Sequence, residues 1–154
     1  MSNKLASFLG PELLPLFEDG QKLLTEAPMG LSDYSFVVFP FAKVYEGFLK
    51  KLFLAIGAID EHQYNNDRWR VGRALNPQLE KEYRHESVYD RIVDRCGGVN
   101  LADTLWKAWK QGRNQIFHFW PGRNQALTLA EAGGIVGEIE AAMEVALVDC
   151  RIKG

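Results

Sequence analysis

Apolar residues recur at helical spacing along most of this chain, and the strict alternation of a half-buried strand is nowhere sustained. Leu5 to Leu24 carries such a stripe, with Gly10-Pro11 as an entry or a break and Glu12 in a first turn. Ala27-Pro28-Met29-Gly30 reads as a turn. Ser32 or Asp33 then caps a long helix predicted to run to about Ile59, which Pro40 either kinks or truly starts. Tyr34 to Phe39 has strand propensity, but the apolar period continues through Val44, Phe48, Leu52 and Ala55, which favours helix.

Asp60 to Asn76 is the most polar stretch and reads as a loop. A helix from about Pro77 to Cys96, broken near His85, follows and is ended by Gly97-Gly98. Asn100 caps the next helix, whose stripe is Leu101, Leu105, Ala108, Trp109, Gly112 and Ile116. Pro121 disfavours helical geometry at Trp120, which places His118 in the last helical turn. Thr128-Leu129-Ala130-Glu131 is a capping box that opens a final helix to about Cys150. Within it Gly133, Gly137 and Ala141 are spaced four apart, a flat strip that another helix can approach closely; each glycine costs roughly 1 kcal/mol of helix propensity. The expected fold is all-α, an antiparallel bundle of four to five helices forming a single domain over residues 1–154.

Composition narrows the function classes. A hydrophobic fraction of 47% with 25% charged residues is that of a soluble globular domain and excludes a disordered chain. The most apolar run, Phe36 to Ile59, is interrupted by Lys43, Glu46, Lys50 and Lys51, so it reads as amphipathic and not as a membrane span; no signal peptide is evident. Cys96 and Cys150 are far apart, with no cluster of His beside either. That argues against zinc and for reduced thiols in a cytoplasmic protein. Net charge is −2, but its distribution is uneven: residues 1–42 and 124–154 each carry −3, whereas residues 43–123 carry +4. The middle of the chain is locally basic.

That middle contains Arg113-Asn114-Gln115-Ile116-Phe117-His118, which sets one guanidinium and one imidazole on a short apolar and amide-bearing run between Trp109 and Trp120. The pair suits phosphodiester cleavage without a metal. Arg113 would neutralise charge on phosphate oxygens, and His118 would shuttle or orient a proton. On a regular helix the two point about 140° apart, so convergence requires the helix to end or bend between them, or a second subunit to complete the site.

An Arg, a polar residue, three others and a His near the end of an amphipathic helix resemble the signature of the HEPN superfamily. Phe39-Pro40-Phe41-Ala42-Lys43-Val44-Tyr45-Glu46-Gly47-Phe48-Leu49-Lys50 resembles an early helix of HEPN toxins of the RNase LS type, which carries an acidic residue here. Leu105-Trp106 leading into the motif resembles their motif helix, and the likeness spans roughly residues 34 to 150. The resemblance implies a metal-independent endoribonuclease in a toxin–antitoxin or phage-defence system, with no cofactor, RNA as substrate, a homodimer with facing motifs, and a possible antitoxin protein. On this reading the chain is expected to be only this domain, a departure from the RNase LS toxins.

Within that reading, Arg113 holds the phosphate, and His118 is general base, general acid or a second positive donor; the sequence does not choose. Asn114 donates to a phosphate or orients the His. Glu46 orients Arg113 or His118, or accepts a proton. Lys107 and Lys110, about two turns and one turn before the motif, together with Arg68, Arg70 and Arg73 around Trp69 and Tyr64, are candidate RNA contacts. Other readings stay open: a structural Arg113–Glu46 or Arg113–Asp103 bridge, a HEPN domain that binds nucleotide, RNA or protein without cutting, or a helical adaptor unrelated to RNA.

Overall fold

The computed structural model describes residues 1–118, 121–122 and 126–152, so Phe119, Trp120 and the arginine–asparagine–glutamine run at 123–125 lie outside the description. The chain is all-helical, as its periodicity predicts. Helix α1 (Asn3–Glu26) opens where the Ser2 hydroxyl accepts the Leu5 N–H at 3.0 Å. It breaks at Gly10, whose φ of +67° a side chain would oppose, and Pro11 follows without an N–H to lose. Lys51 covers the break by donating to the carbonyls of Phe8 and Leu9 at 2.7 and 3.0 Å.

Helix α2 (Ser35–Ala55) is the centre of the fold, burying Val37, Val38, Phe41, Val44, Tyr45, Phe48, Leu49, Leu52 and Phe53. Its N-cap is Tyr34, one residue after the expected Ser32 or Asp33 and without a side-chain cap bond; Asp33 instead accepts from the backbone N–H and the hydroxyl of Ser35. Pro40 lies inside this helix, buried, and does not mark its start. Three pairings run in opposite senses along α1 and α2: Phe8 against Phe48, Leu13 against Gly47, and Phe17 against Phe41. The two helices are therefore antiparallel.

The polar stretch expected as a loop contains two short helices, α3 (Glu61–Asn65) and α4 (Val71–Ala74). Asp60 and Gln63 form a capping box that starts α3 without any apolar stripe, which is why periodicity does not reveal it. The single helix expected from Pro77 is a 3-10 segment (Lys81–Glu86) followed by α5 (Val88–Arg95). Ser87 separates them, its buried hydroxyl accepting the Asp90 N–H at 3.1 Å.

Helix α6 (Gly98–Trp109) starts earlier than the expected Asn100 cap, with Gly98 at φ +69°. It continues as a π-turn (Lys110–Asn114). Helix α7 (Leu129–Asp149) opens on the predicted Thr128–Glu131 capping box. α7 runs antiparallel to α6, since Gly112 faces Ile139 and Gly97 faces Asp149. It is parallel to α2. Both start at one end of the bundle, where Tyr34 donates to the Leu127 carbonyl at 2.9 Å and Leu127 to the Asp33 carboxylate at 3.0 Å.

Two expectations are corrected. The small-residue strip of α7 takes no close-packed helix: Gly137 faces open space, Ala141 is exposed, and a Cβ at Gly133 would only touch Leu24 of α1 at 3.8 Å. The tight approach occurs instead at Gly112, where an added Cβ would stand 2.6 Å from Ile139. The thiols are not reduced, because the C-terminal ends of α5 and α7 converge until the Cα atoms of Cys96 and Cys150 are 4.4 Å apart and the sulfurs are bonded. A separation of 54 residues concealed that pairing. Among the described residues, no helix is long and apolar enough to cross a membrane.

Candidate functional site

The motif sits where α6 loses its regular winding. Gln115 donates its backbone N–H to the carbonyl of Lys110, five residues back, at 3.0 Å, and Phe117 donates to that of Arg113 at 3.2 Å. Such an inserted residue widens the helix and re-aims the side chains beyond it. The chain has left helical geometry by His118, which therefore lies past the last turn and not within it.

Arg113 leaves this turn toward α2. Its Nε donates to Oε2 of Glu46 at 3.2 Å, and its guanidinium lies over the Trp109 ring at 5.2 Å from the centroid. Arg113 is 42% exposed and Glu46 33%, so the pair stands at a surface and in contact with water. Arg113 and Glu46 line a cleft of about 290 Å³ with Phe39, Ala42, Lys43 and Phe117. The Arg113 bond uses one of five guanidinium N–H donors, and the terminal nitrogens have no protein partner among the described residues.

The other motif residues are less closely gathered. Asn114 is half-buried in the π-turn, and His118 is exposed one residue beyond Phe117. Lys110 is exposed at the start of the turn. Lys107 reaches the opposite way, to Glu138 of α7 at 3.4 Å. Arg68, Arg70 and Arg73 meet in a separate cleft of about 200 Å³ with Asn66, Trp69 and Glu86. There Arg73 pairs with Glu86 at 3.3 Å and lies over Tyr83, while Arg70 donates to the Asp67 carbonyl at 2.6 Å. Trp69 packs edge-on against Phe53, so it is tucked onto the bundle. Trp109 carries Arg113 on its face and meets Gly72 of α4 at its indole nitrogen. Among the described residues no cluster of three or more His, Cys, Asp or Glu is placed to hold a metal.

The motif reading missed the aromatic walls. Phe39 and Phe117 are 54% and 40% exposed, and their rings meet edge to face with centroids 5.7 Å apart. A signal was present: Phe39, Lys43 and Glu46 fall at i, i+4 and i+7, on one helix face that is only partly buried. No family model, curated protein or solved structure matches the chain.

Proposed function

We propose that this protein is a metal-independent endoribonuclease of the HEPN type, acting as a toxin or defence effector. The observation that carries the reading is Arg113, held through Nε by Glu46 at 3.2 Å on the lining of an open cleft. A guanidinium fixed through Nε keeps the fork that matches two phosphate oxygens. The ribose 2′-oxygen attacks the adjacent phosphorus, the bond from phosphorus to the 5′-oxygen breaks, and the products are a 2′,3′-cyclic phosphate and a 5′-hydroxyl end. Arg113 stabilises the negative charge that grows on the phosphate oxygens. His118 takes the 2′-hydroxyl proton or supplies one to the leaving 5′-oxygen, and Asn114 holds a phosphate oxygen or the imidazole. A homodimer that brings two motifs together supplies the second set of groups, and an antitoxin protein covers the cleft. Lys110 and the Arg68, Arg70 and Arg73 cleft extend the contact with the RNA backbone.

A second reading, a non-catalytic nucleotide- or RNA-binding module, is favoured by the same salt bridge, because Glu46 already balances the charge of Arg113. Incubation of mixed RNA with excess chelator separates the two. Cleavage to cyclic-phosphate ends that disappears in Arg113→Ala and His118→Ala supports the enzyme, as does resistance of a substrate with a single 2′-deoxy sugar. Binding without cleavage supports the module.

A further inference from the structure

We infer that Phe39 and Phe117 form a nucleobase platform, and that the cleft beside Arg113 takes one unpaired nucleotide of single-stranded RNA. The inference rests on the RNA-cleaving reading above and adds how a base next to the scissile phosphate is held. Burial drives phenylalanine out of water, yet these two rings remain 54% and 40% exposed on the same cleft wall. Their planes are inclined at 80°, so one ring offers its face where the other offers its edge. A flat base stacks on such a corner whatever its identity, because every base has a π-face.

The polar groups lie where the rest of a nucleotide would fall. Arg113 and Lys43 line the same cleft as the rings, with Glu46 the one anion among them, so a base on Phe39 or Phe117 puts its phosphate beside a net positive lining. At about 290 Å³ the cleft is at the small end of ligand pockets and suits one nucleotide, not a duplex. Stacking therefore demands a base already splayed from its neighbours, as in loops and single strands. Phe36, also on α2 and 40% exposed, stacks instead on Tyr34 and does not line the cleft. It serves as the internal control.

The test is a double-substitution cycle on a short RNA of known cleavage site. One partner is Phe39→Ala or Phe117→Ala, and the other is an abasic residue at either position flanking the scissile phosphate. Loss of one stacked base weakens binding roughly 5- to 100-fold. The platform predicts that this loss appears with either change alone, does not grow when both are combined, is restored by Phe39→Tyr, and is absent in Phe36→Ala. Phe39→Ala removes a surface ring and leaves the core intact, which an unchanged melting temperature verifies.

If the wild type cleaves RNA and Arg113→Ala does not, while Phe39→Ala and Phe117→Ala bind and cut like the wild type, the platform is wrong and the nuclease stands. Should Phe36→Ala and Phe39→Ala alike shift the sedimenting mass and leave base binding untouched, the rings belong to a protein contact and the platform is again overturned. A wild type that neither binds nor cuts RNA removes both readings.

Discussion

Glu46 and Arg113, 67 residues apart in the chain, meet at 3.2 Å across the junction of α2 and the π-turn. The pair is too exposed to matter much for folding, since such surface bridges contribute about 0–1 kcal/mol. Its value is geometric: Glu46 fixes the plane of the guanidinium that faces the cleft. Glu46→Gln is expected to leave the melting temperature within about 2 °C, yet slow single-turnover RNA cleavage roughly tenfold. Arg113→Ala removes the donor itself and should cost on the order of 10²–10³ in rate. A Glu46→Gln variant with wild-type turnover would reduce the pair to an incidental bridge.

Trp109 and Gly72 offer a test of how the site is supported. An added Cβ at Gly72 would lie 2.6 Å from the indole nitrogen of a side chain that is only 3% exposed. Gly72→Ala should therefore destabilise by about 1–3 kcal/mol, because the buried ring must shift. Cleavage should fall with it, since Arg113 rests on that ring. Gly134→Ala is the counterpart, an exposed helical glycine with open space around it. It should stabilise by about 0.5–1 kcal/mol. Urea unfolding curves compare the two directly.

The bond between Cys96 and Cys150 closes a loop with a sequence separation of 54. Cross-linking a loop of that length restricts the unfolded chain, and its loss costs about 2–4 kcal/mol. Reductant is expected to lower the denaturation midpoint of the wild type to that of Cys96→Ser, which should itself be insensitive to reductant. Titration of the denatured, unreduced protein should find no free thiol; two would contradict the pairing.

Stability should decline at both ends of the pH scale. Partial burial alone would raise the Asp33 carboxyl, but bonds from Leu127 and Ser35 outweigh it and hold the group below its ordinary value. Glu131 is lowered mainly by the backbone N–H of Thr128, and further by its hydroxyl. Carboxyls lowered by folding stabilise above their ordinary range, and that contribution fades as pH falls through the depressed values. Tyr89 is the reverse. Its hydrogen bond to Asp103, then burial, push it from 10.0 to about 12, so its contribution is full below pH 10 and lost as pH rises through about 12. Asp33→Asn should flatten the acid limb of a stability–pH curve and Tyr89→Phe the alkaline limb.

The long elements were readable because each leaves a one-dimensional trace. Leu5 and Leu9 on α1, Val44, Phe48 and Leu52 on α2, and Leu101 and Leu105 on α6 repeat at helical spacing, and all are buried. The Thr128–Glu131 box announces α7 within four residues. Elements without an apolar period left no such trace. The α3 helix depends on a polar cap, and the break at Ser87 on a single buried hydroxyl. The π-turn depends on which carbonyl Gln115 reaches, and no apolar period marks that choice.

Residue order alone determined that this protein is helical, where its main helices lie, and that Arg113 and Asn114 close one of them. Local periodicity and capping are properties of neighbours in sequence, so they survive without a fold. Only the tertiary structure decided that Glu46 holds Arg113, that Phe39 and Phe117 wall the same cleft, that Lys107 turns to Glu138, and that Cys96 meets Cys150. Those relationships join positions dozens of residues apart, and they form because burying the core of α2 against α1, α6 and α7 brings their surfaces to common edges.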